Sequence, residues 1–443
     1  MARISDPTRR AFLAGTGAAA LMPLASALRA GTPAAENVLR IGATLPIAGA
    51  ALPEGAVNLR SVGEAARMGL ALAEEDAALN AGLLGWSPEL AIGNAPGAGA
   101  VARAARRLVA REQVSVLIGG YTTEEAEILS AIAEESGALF LNVGATSDLA
   151  RSGPCRANTF HVEASAAMYV DAILGWHVRA GFRRWHFVHD ETAEGEARRA
   201  RAAAGLEDRY WGAEVVGASV ARRGETRDTA AVLDAIRESR SDVVFLLTDW
   251  QAQRDFLSHY EAAGLTAAVV GFPEPAAQTR DYYFTLSQVA PAAGAGYRAA
   301  LWEPTLDAYG ARELNTRFAA RWGAPMDPAA WSAYQAVKIA MEAAIATGSA
   351  RGEDLARHLA REESVFDVSK GIGVSFRPWD HQLRQPLYLV KVNPDASPSR
   401  ELPALAARAS LAGELPAIYM PGTEPVERLD QLGDIRRSGE CRA

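Results

Sequence analysis

The sequence is poor in cysteine, lysine and histidine, and each scarcity removes a class of function. Cys155 and Cys441 are its two cysteines, too few for a zinc ribbon or a disulfide-framed miniprotein. The seven histidines are scattered, and His186 and His189, on an apparent strand, have no cysteine partner. No metal site and no cofactor is expected. Only Lys338, Lys370 and Lys391 are lysines, and the 45 basic residues are interspersed with 53 acidic ones to a net charge of −8. A nucleic-acid surface needs clustered cations that displace counterions, so nucleic acid is not expected as a partner. A G-x-S-x-G elbow, zinc-ligand spacing and a usable phosphate loop are all missing, and the chain is read as a non-enzyme. Beyond the first 36 residues no apolar run reaches the length of a membrane span.

The segment Thr8-Arg9-Arg10-Ala11-Phe12-Leu13 leads into an Ala- and Gly-rich apolar stretch ending at Leu28, with small residues at Ala25 and Ala27 that suit a signal peptidase. The pattern predicts a twin-arginine signal peptide over residues 1–36 and a periplasmic mature protein. An ordinary secretory signal and an uncleaved anchor are the alternatives. Gly15-x-Gly17-x-x-Ala20 matches a dinucleotide fingerprint by letters, but it follows no strand and is discarded. In an oxidising compartment a disulfide between Cys155 and Cys441 is expected over two separate thiols. Closing so long a loop would remove roughly 4–6 kcal/mol of unfolded-chain entropy in the simple model.

A chain of 443 residues with 49% apolar content has room for two or three domains. Val114 to Leu149, VSVLIGGYTTEEAEILSAIAEESGALFLNVGATSDL, reads as strand, loop, helix, strand, loop. A right-handed crossover places its two loops on the same sheet edge, where ligands bind in open α/β folds. The same alternation precedes it, with strands at Val38–Pro46 and Glu89–Ile92 and helices at Ser61–Asn80 and Ala98–Arg111. Residues 151–163, RSGPCRANTFHVE, interrupt the pattern, and a second βα series then runs to Phe272. Three amphipathic helices, Leu306–Trp322, Ala329–Thr347 and Gly352–Arg361, need a sheet to cover, and the first one is the expected recipient. Gly373–Phe376 and Leu387–Val392 read as a hairpin-like pair returning to the second. The expected fold is α/β, two doubly wound parallel-sheet lobes joined by a hinge. Lobe 1 takes residues 37–156 plus 287–364, lobe 2 takes 157–286 plus 365–393, and 394–443 form a C-terminal tail.

A cleft between such lobes encloses a small molecule, and hinge closure buries it from both sides. The first lobe offers Tyr121, Thr122 and Thr123 after one strand and Gly144, Ala145 and Thr146 after the next. Hydroxyls and free backbone N–H groups thus converge on the cleft: Thr123, at a helix N-terminus, favours a carboxylate or another electron-rich group, and Thr146 and the Gly144 carbonyl add a hydroxyl and an acceptor. Helix capping is the competing use for Thr122 and Thr123, with Glu124 and Glu125 nearby. The second lobe offers the loops His189-Asp190-Glu191-Thr192, Thr248-Asp249-Trp250 and Phe272-Pro273-Glu274-Pro275. Trp250 suits an apolar ligand face and Glu274 a ligand cation, with helix packing and turn chemistry as the plainer readings.

The run IGGYTTEEAEILSAIAEESGALFLNVGATSDL, continued by NTFHV, VHDETAEGE and VVGFPEP, resembles the leucine/isoleucine/valine-binding proteins of ABC importers, the type I periplasmic binding fold. The resemblance spans roughly Val38 to Val392. It implies that Thr123, Gly144 and Thr146 hold the carboxylate and amine of a bound amino acid and that Glu274 pairs with its ammonium. Positions matching approximately Glu194 and Trp250 are aromatic in that family. Glu194 departs from that pattern, as do Asn94, where an acid is usual, and the long loop Ile47–Arg60. Branched-chain specificity is therefore not implied. The segment GVSFRPWDHQLRQPLYLVKV is similar to a subgroup associated with PQQ-dependent alcohol dehydrogenase systems, in which Arg377, Trp379, Asp380 and Arg384 would be hinge structure or ligand contacts. The function implied is an extracytoplasmic solute-binding component of an ABC importer, with a small-molecule ligand and a membrane permease and ATPase complex as partners. A periplasmic ligand sensor of the same fold is the alternative.

Overall fold

Val116–Gly119 (VLIG) and Leu139–Asn142 (LFLN) are buried at every position. Strands without a polar face need helices on both sides, which is the condition of a parallel sheet in an α/β protein. The computed structural model describes residues 37–47, 57–152, 156–210, 212–221, 226–292, 297–307, 310–371, 373–393, 397, 399, 401, 403–404, 409–416 and 424–434. The signal segment 1–36, most of the long Ile47–Arg60 loop, and both Cys155 and Cys441 lie outside the described residues.

The chain starts with β1 (Asn37–Leu45), α1 (Val57–Gly82), β2 (Trp86–Asn94), α2 (Ala98–Arg111), β3 (Val116–Gly119), α3 (Thr123–Ser136), β4 (Leu139–Asn142), the short α4 (Leu149–Ser152) and β5 (Thr159–His161). These strands form one five-stranded parallel sheet in the order β2-β1-β3-β4-β5. The second series is α5 (Ala166–Arg179), β6 (Arg184–His189), α6 (Ala193–Arg209), β7 (Glu214–Val220), α7 (Thr226–Ser239), β8 (Val243–Leu247), α8 (Trp250–Ala262) and β9 (Ala268–Gly271). Its four strands are parallel in the order β7-β6-β8-β9. In each sheet the order reverses beside its first strand, and the crevice at the carboxyl ends of such strands is where α/β sheets take ligands.

The chain continues through α9 (Arg280–Val289), β10 (Tyr297–Ala300), α10 (Ala311–Trp322), α11 (Pro328–Thr347) and α12 (Gly352–Leu359). Helix α11 is almost wholly buried and packs on α1 and β3, with Ser332 donating to the Val143 carbonyl at 2.9 Å. Helix α12 lies against β4 and β5, so the late helices cover the first sheet.

The last strands differ from the sequence expectation. Val374 bridges to Phe366 and Phe376 to Leu383, while β11 (Leu387–Val392) pairs antiparallel with β10 on one side and β12 (Ala409–Leu415) on the other. The result is a separate three-stranded sheet beside α5 and β9. Residues beyond 394 are not a mere appendage: they supply β12, and the turn after α13 (Pro425–Leu429) is tied inward. Arg384 bonds Asp430 at 2.9 Å, Arg377 donates to the Leu432 carbonyl at 3.0 Å, and Gly433 N donates to Asp171 at 3.0 Å. Arg377 itself is buried against Asp380 with contacts of 3.0 and 2.6 Å, so this part of the RPWDHQLRQP segment clamps the tail.

Polar side chains knit together the stretches on which the chain passes between the sheets. Leu383 N donates to the His161 carbonyl at 2.9 Å, and Gln385 donates to the Val162 carbonyl at 2.7 Å. Gln278 donates to Tyr169 Oη at 3.1 Å and accepts from Leu301 N at 2.8 Å. Because these groups are buried, their mutual satisfaction is a condition of the fold.

Candidate functional site

Loops from the carboxyl ends of five strands converge on one cavity of about 320 Å³. From the first sheet it is lined by Tyr121, Thr122 and Thr123 after β3 and by Gly144, Ala145 and Thr146 after β4. From the second it is lined by Asp190, Thr192, Glu194 and Arg198 after β6, by Asp249 and Trp250 after β8, and by Glu274, Pro275 and Ala276 after β9; Leu59 of α1 completes it. Tyr121, Thr122, Thr123, Gly144, Ala145, Thr146, Glu194, Asp249, Trp250 and Glu274 therefore share one cavity, whereas His189, Glu191, Thr248, Arg377, Trp379, Asp380 and Arg384 are not among its lining residues.

The first wall is built by capping. Thr122 is the N-cap of α3, its hydroxyl accepting from Glu125 N at 3.2 Å, while the Glu125 carboxylate accepts from Tyr121 N at 3.0 Å. This reciprocal arrangement is close to a capping box, and it commits Thr122 to the helix. Burial raises the Glu125 carboxyl above its ordinary value, opposed by the N–H groups it accepts from. Thr123, half-buried, sends its hydroxyl across the cleft to Glu194 Oε1 at 3.2 Å. Gly144 lets the two loops touch, since a Cβ there would lie 2.6 Å from the Tyr121 ring.

The loop after β4 does not offer the free N–H groups expected of it. The Gly144 and Ala145 N–H groups are not free for a ligand, because Asn142 Oδ1 accepts both, at 3.2 and 2.9 Å. Asn142 also donates to the Ala145 carbonyl at 2.8 Å and contacts His161 Nδ1 at 2.9 Å, which fixes the loop from inside. Thr146, only 6% exposed, lines the cavity from that loop, and its carbonyl accepts from Ala166 N at 2.7 Å.

The second wall consists of helix starts. Asp190 Oδ1 accepts from Thr192 N at 3.0 Å and from the Thr192 hydroxyl, and Thr192 caps α6 by accepting from Gly195 N at 3.0 Å. Asp249 caps α8, its Oδ1 accepting from Gln251 N at 2.8 Å and Ala252 N at 3.0 Å. Trp250 is buried at the first position of α8 and meets Tyr282 edge-on, with ring centroids 6.4 Å apart. Gln253 donates to the Thr248 and Phe272 carbonyls at 2.9 and 2.8 Å, holding the last two loops together.

Glu274 is engaged on both oxygens. Arg198 Nη2 donates to Oε1 at 2.9 Å and Trp250 N to Oε2 at 3.3 Å. The Arg198 guanidinium also lies 3.9 Å from the Phe272 ring centre, a cation–π contact. Burial raises the Glu274 carboxyl above its ordinary value, and Arg198 works against that shift. The pairing implied for Glu274, with a ligand ammonium, is here made by a protein guanidinium. The sequence reading lacks Arg198, whose one signal is its position four after Glu194, on the same face of α6.

No curated protein matches the chain. Solved structures with the same architecture include an amino acid ABC transporter substrate-binding protein from Pseudomonas fluorescens, at 20% identity and a TM-score of 0.71, covering 90% of this chain and 99% of that one. A branched chain amino acid ABC transporter periplasmic ligand-binding protein from Burkholderia xenovorans aligns at 16% identity and a TM-score of 0.73, covering 90% and 98%. A solute binding protein of an ABC transporter from Rhodopseudomonas palustris, in complex with 3,4-dihydroxy benzoic acid, aligns at 17% identity and a TM-score of 0.65, covering 87% and 99%. A family model described as periplasmic binding protein matches residues 38–397, and with that span and the two parallel sheets facing one cavity, the chain belongs to the periplasmic binding protein family.

Proposed function

We propose that this protein is the extracytoplasmic solute-binding component of an ABC importer. Two lobes, one built around each parallel sheet, close by a hinge over a small polar molecule, and a permease and ATPase complex at the membrane receives it. The observation that carries this reading is the cavity lined from both sheets, with Thr123 and Glu194 bonded across it at 3.2 Å. The relatives named above, which carry amino acids or an aromatic acid in their descriptions, support the importer role. Export by the twin-arginine route rests on the TRRAFL start, and a link to PQQ-dependent alcohol oxidation rests on the GVSFRPWDHQLRQPLYLVKV segment.

The test is a thermal-shift screen of the purified chain against amino acids, amides, alcohols and carboxylic acids. A ligand of the folded form at a hundredfold above its Kd adds about 2.7 kcal/mol of stability. A clear upward shift with one class is expected, followed by uptake of that compound when the chain is added to vesicles bearing its permease and ATPase. A screen without any shift would remove the solute-binding role. Binding without uptake would turn the reading to a ligand sensor.

A further inference from the structure

Granted the solute-binding role proposed above, the charges around the cavity narrow the class of solute. Glu194 accepts from the Thr123 hydroxyl at 3.2 Å, so a protein carboxylate already sits at the start of α3, where an anionic ligand group would go. Glu274 is paired with Arg198 at 2.9 Å, so a protein guanidinium already holds the carboxylate that a ligand ammonium would seek. Asp190 Oδ1 and Asp249 Oδ1 accept from N–H groups at the starts of α6 and α8, where helix dipoles offset their charge.

The two ends that would recognise an amino-acid zwitterion are therefore both answered from within. A ligand carboxylate at Thr123 would have to evict Glu194 and would meet its repulsion. A ligand ammonium at Glu274 would have to displace Arg198, which is buried and stacked on Phe272, leaving a guanidinium without its counter-ion. We infer that the cavity takes an uncharged hydrogen-bonding solute, such as a primary amide or an alcohol, and discriminates against amino-acid zwitterions. Tyr121 and Trp250 offer aromatic surface to its apolar body, and Thr146 a hydroxyl to its polar head.

The inference is tested by isothermal titration of the purified chain with two matched series. One is 4-methylpentanamide, 4-methylpentanoate, leucine and 3-methylbutylamine; the other is 3-phenylpropanamide, 3-phenylpropanoate, phenylalanine and 2-phenylethylamine. The amide of at least one series is expected to bind roughly tenfold or more tightly than its charged counterparts. Glu194→Gln should then improve carboxylate binding relative to the amide, and Arg198→Met should improve amine binding, each by roughly tenfold. Should Arg198→Met fail to fold, Glu194→Gln alone decides the matter. A charged member that binds the unmodified chain as tightly as its amide overturns the inference and leaves the solute-binding role standing. If neither series binds, the best hit of the broad screen decides, an uncharged compound supporting the inference and a charged one overturning it. An empty broad screen removes the solute-binding role and this inference with it.

Discussion

The hydroxyl of Thr123, the first residue of α3, donates to Glu194 in the first turn of α6 at 3.2 Å, and the two helices belong to different sheets. A hydrogen bond of this kind is worth about 1 kcal/mol net, which is a modest bias toward the closed arrangement. Glu194→Ala is expected to shift the unliganded chain about fivefold toward an open form. Small-angle scattering should give the variant a larger radius of gyration than the parent, with the two converging at saturating ligand. Equal radii without ligand would rule out the latch.

Asn142 carries the loop at Gly144 and Ala145 through three contacts between 2.8 and 3.2 Å, touches His161 Nδ1 at 2.9 Å, and is fully buried. Asn142→Leu leaves two buried N–H groups without an acceptor. The expected cost is about 2–4 kcal/mol in urea unfolding, with ligand affinity falling further than stability because Thr146 loses its support. Asn142→Asp keeps the acceptor and is expected to lose less. A Leu variant as stable as the parent would contradict this account.

The βα alternation through Phe272 is legible in sequence because each buried strand is an apolar run closed by glycine or a polar loop, and because helix caps such as Thr122 and Asp249 stand where helices begin. The converging loops follow from that alternation alone. What escapes is set by partners rather than by local pattern. Thr159–His161 is too short to announce itself, and Ala409–Leu415, built of small residues, becomes a strand only because β11 offers it an edge. Arg198 stands among Arg199 and Arg201 in an arginine-rich helix; packing against Phe272 and Glu274, not its own chemistry, singles it out. Asn142 is likewise one polar residue at the end of a strand, and only the fold shows that it consumes the N–H groups a ligand would otherwise find.

Helices α1 and α11 approach closely at Gly69, where an added Cβ would lie 2.0 Å from the Ala330 carbonyl oxygen. The obstacle is backbone inside a packed pair of helices, so it cannot swing aside. Gly69→Ala should destabilise the protein by about 3 kcal/mol, whereas Gly82→Ala in the same helix meets nothing within 4 Å and should change stability by less than about 1 kcal/mol. Urea midpoints of the two variants measure the contrast, and equal midpoints would refute it.

Glu163 is buried where the linking stretches meet. Its Oε1 accepts from Tyr169 Oη at 2.7 Å and Ala164 N at 3.1 Å, and its backbone carbonyl accepts from Arg151 and Gln382, each at 3.0 Å. Burial pushes its carboxyl from the ordinary 4.5 up to about 7, although Tyr169, Arg151 and Lys370 all act to lower it. Between those two values the folded chain keeps a proton that the unfolded chain releases. The stability from this group is therefore complete below pH 4.5, declines as pH rises through about 7, and is gone above it. Glu163→Gln keeps an acceptor for Tyr169 and cannot ionise. It should match the parent near pH 4.5 and exceed it by about 1–3 kcal/mol at pH 8, the lower figure applying if Lys370 misses the negative charge. Urea unfolding of both proteins at pH 5 and pH 8 isolates this group, since every other titration is common to the pair. Parallel pH dependences would show that Glu163 is ionised throughout; a gain confined to high pH would show that the junction between the sheets is held together by a neutral carboxyl.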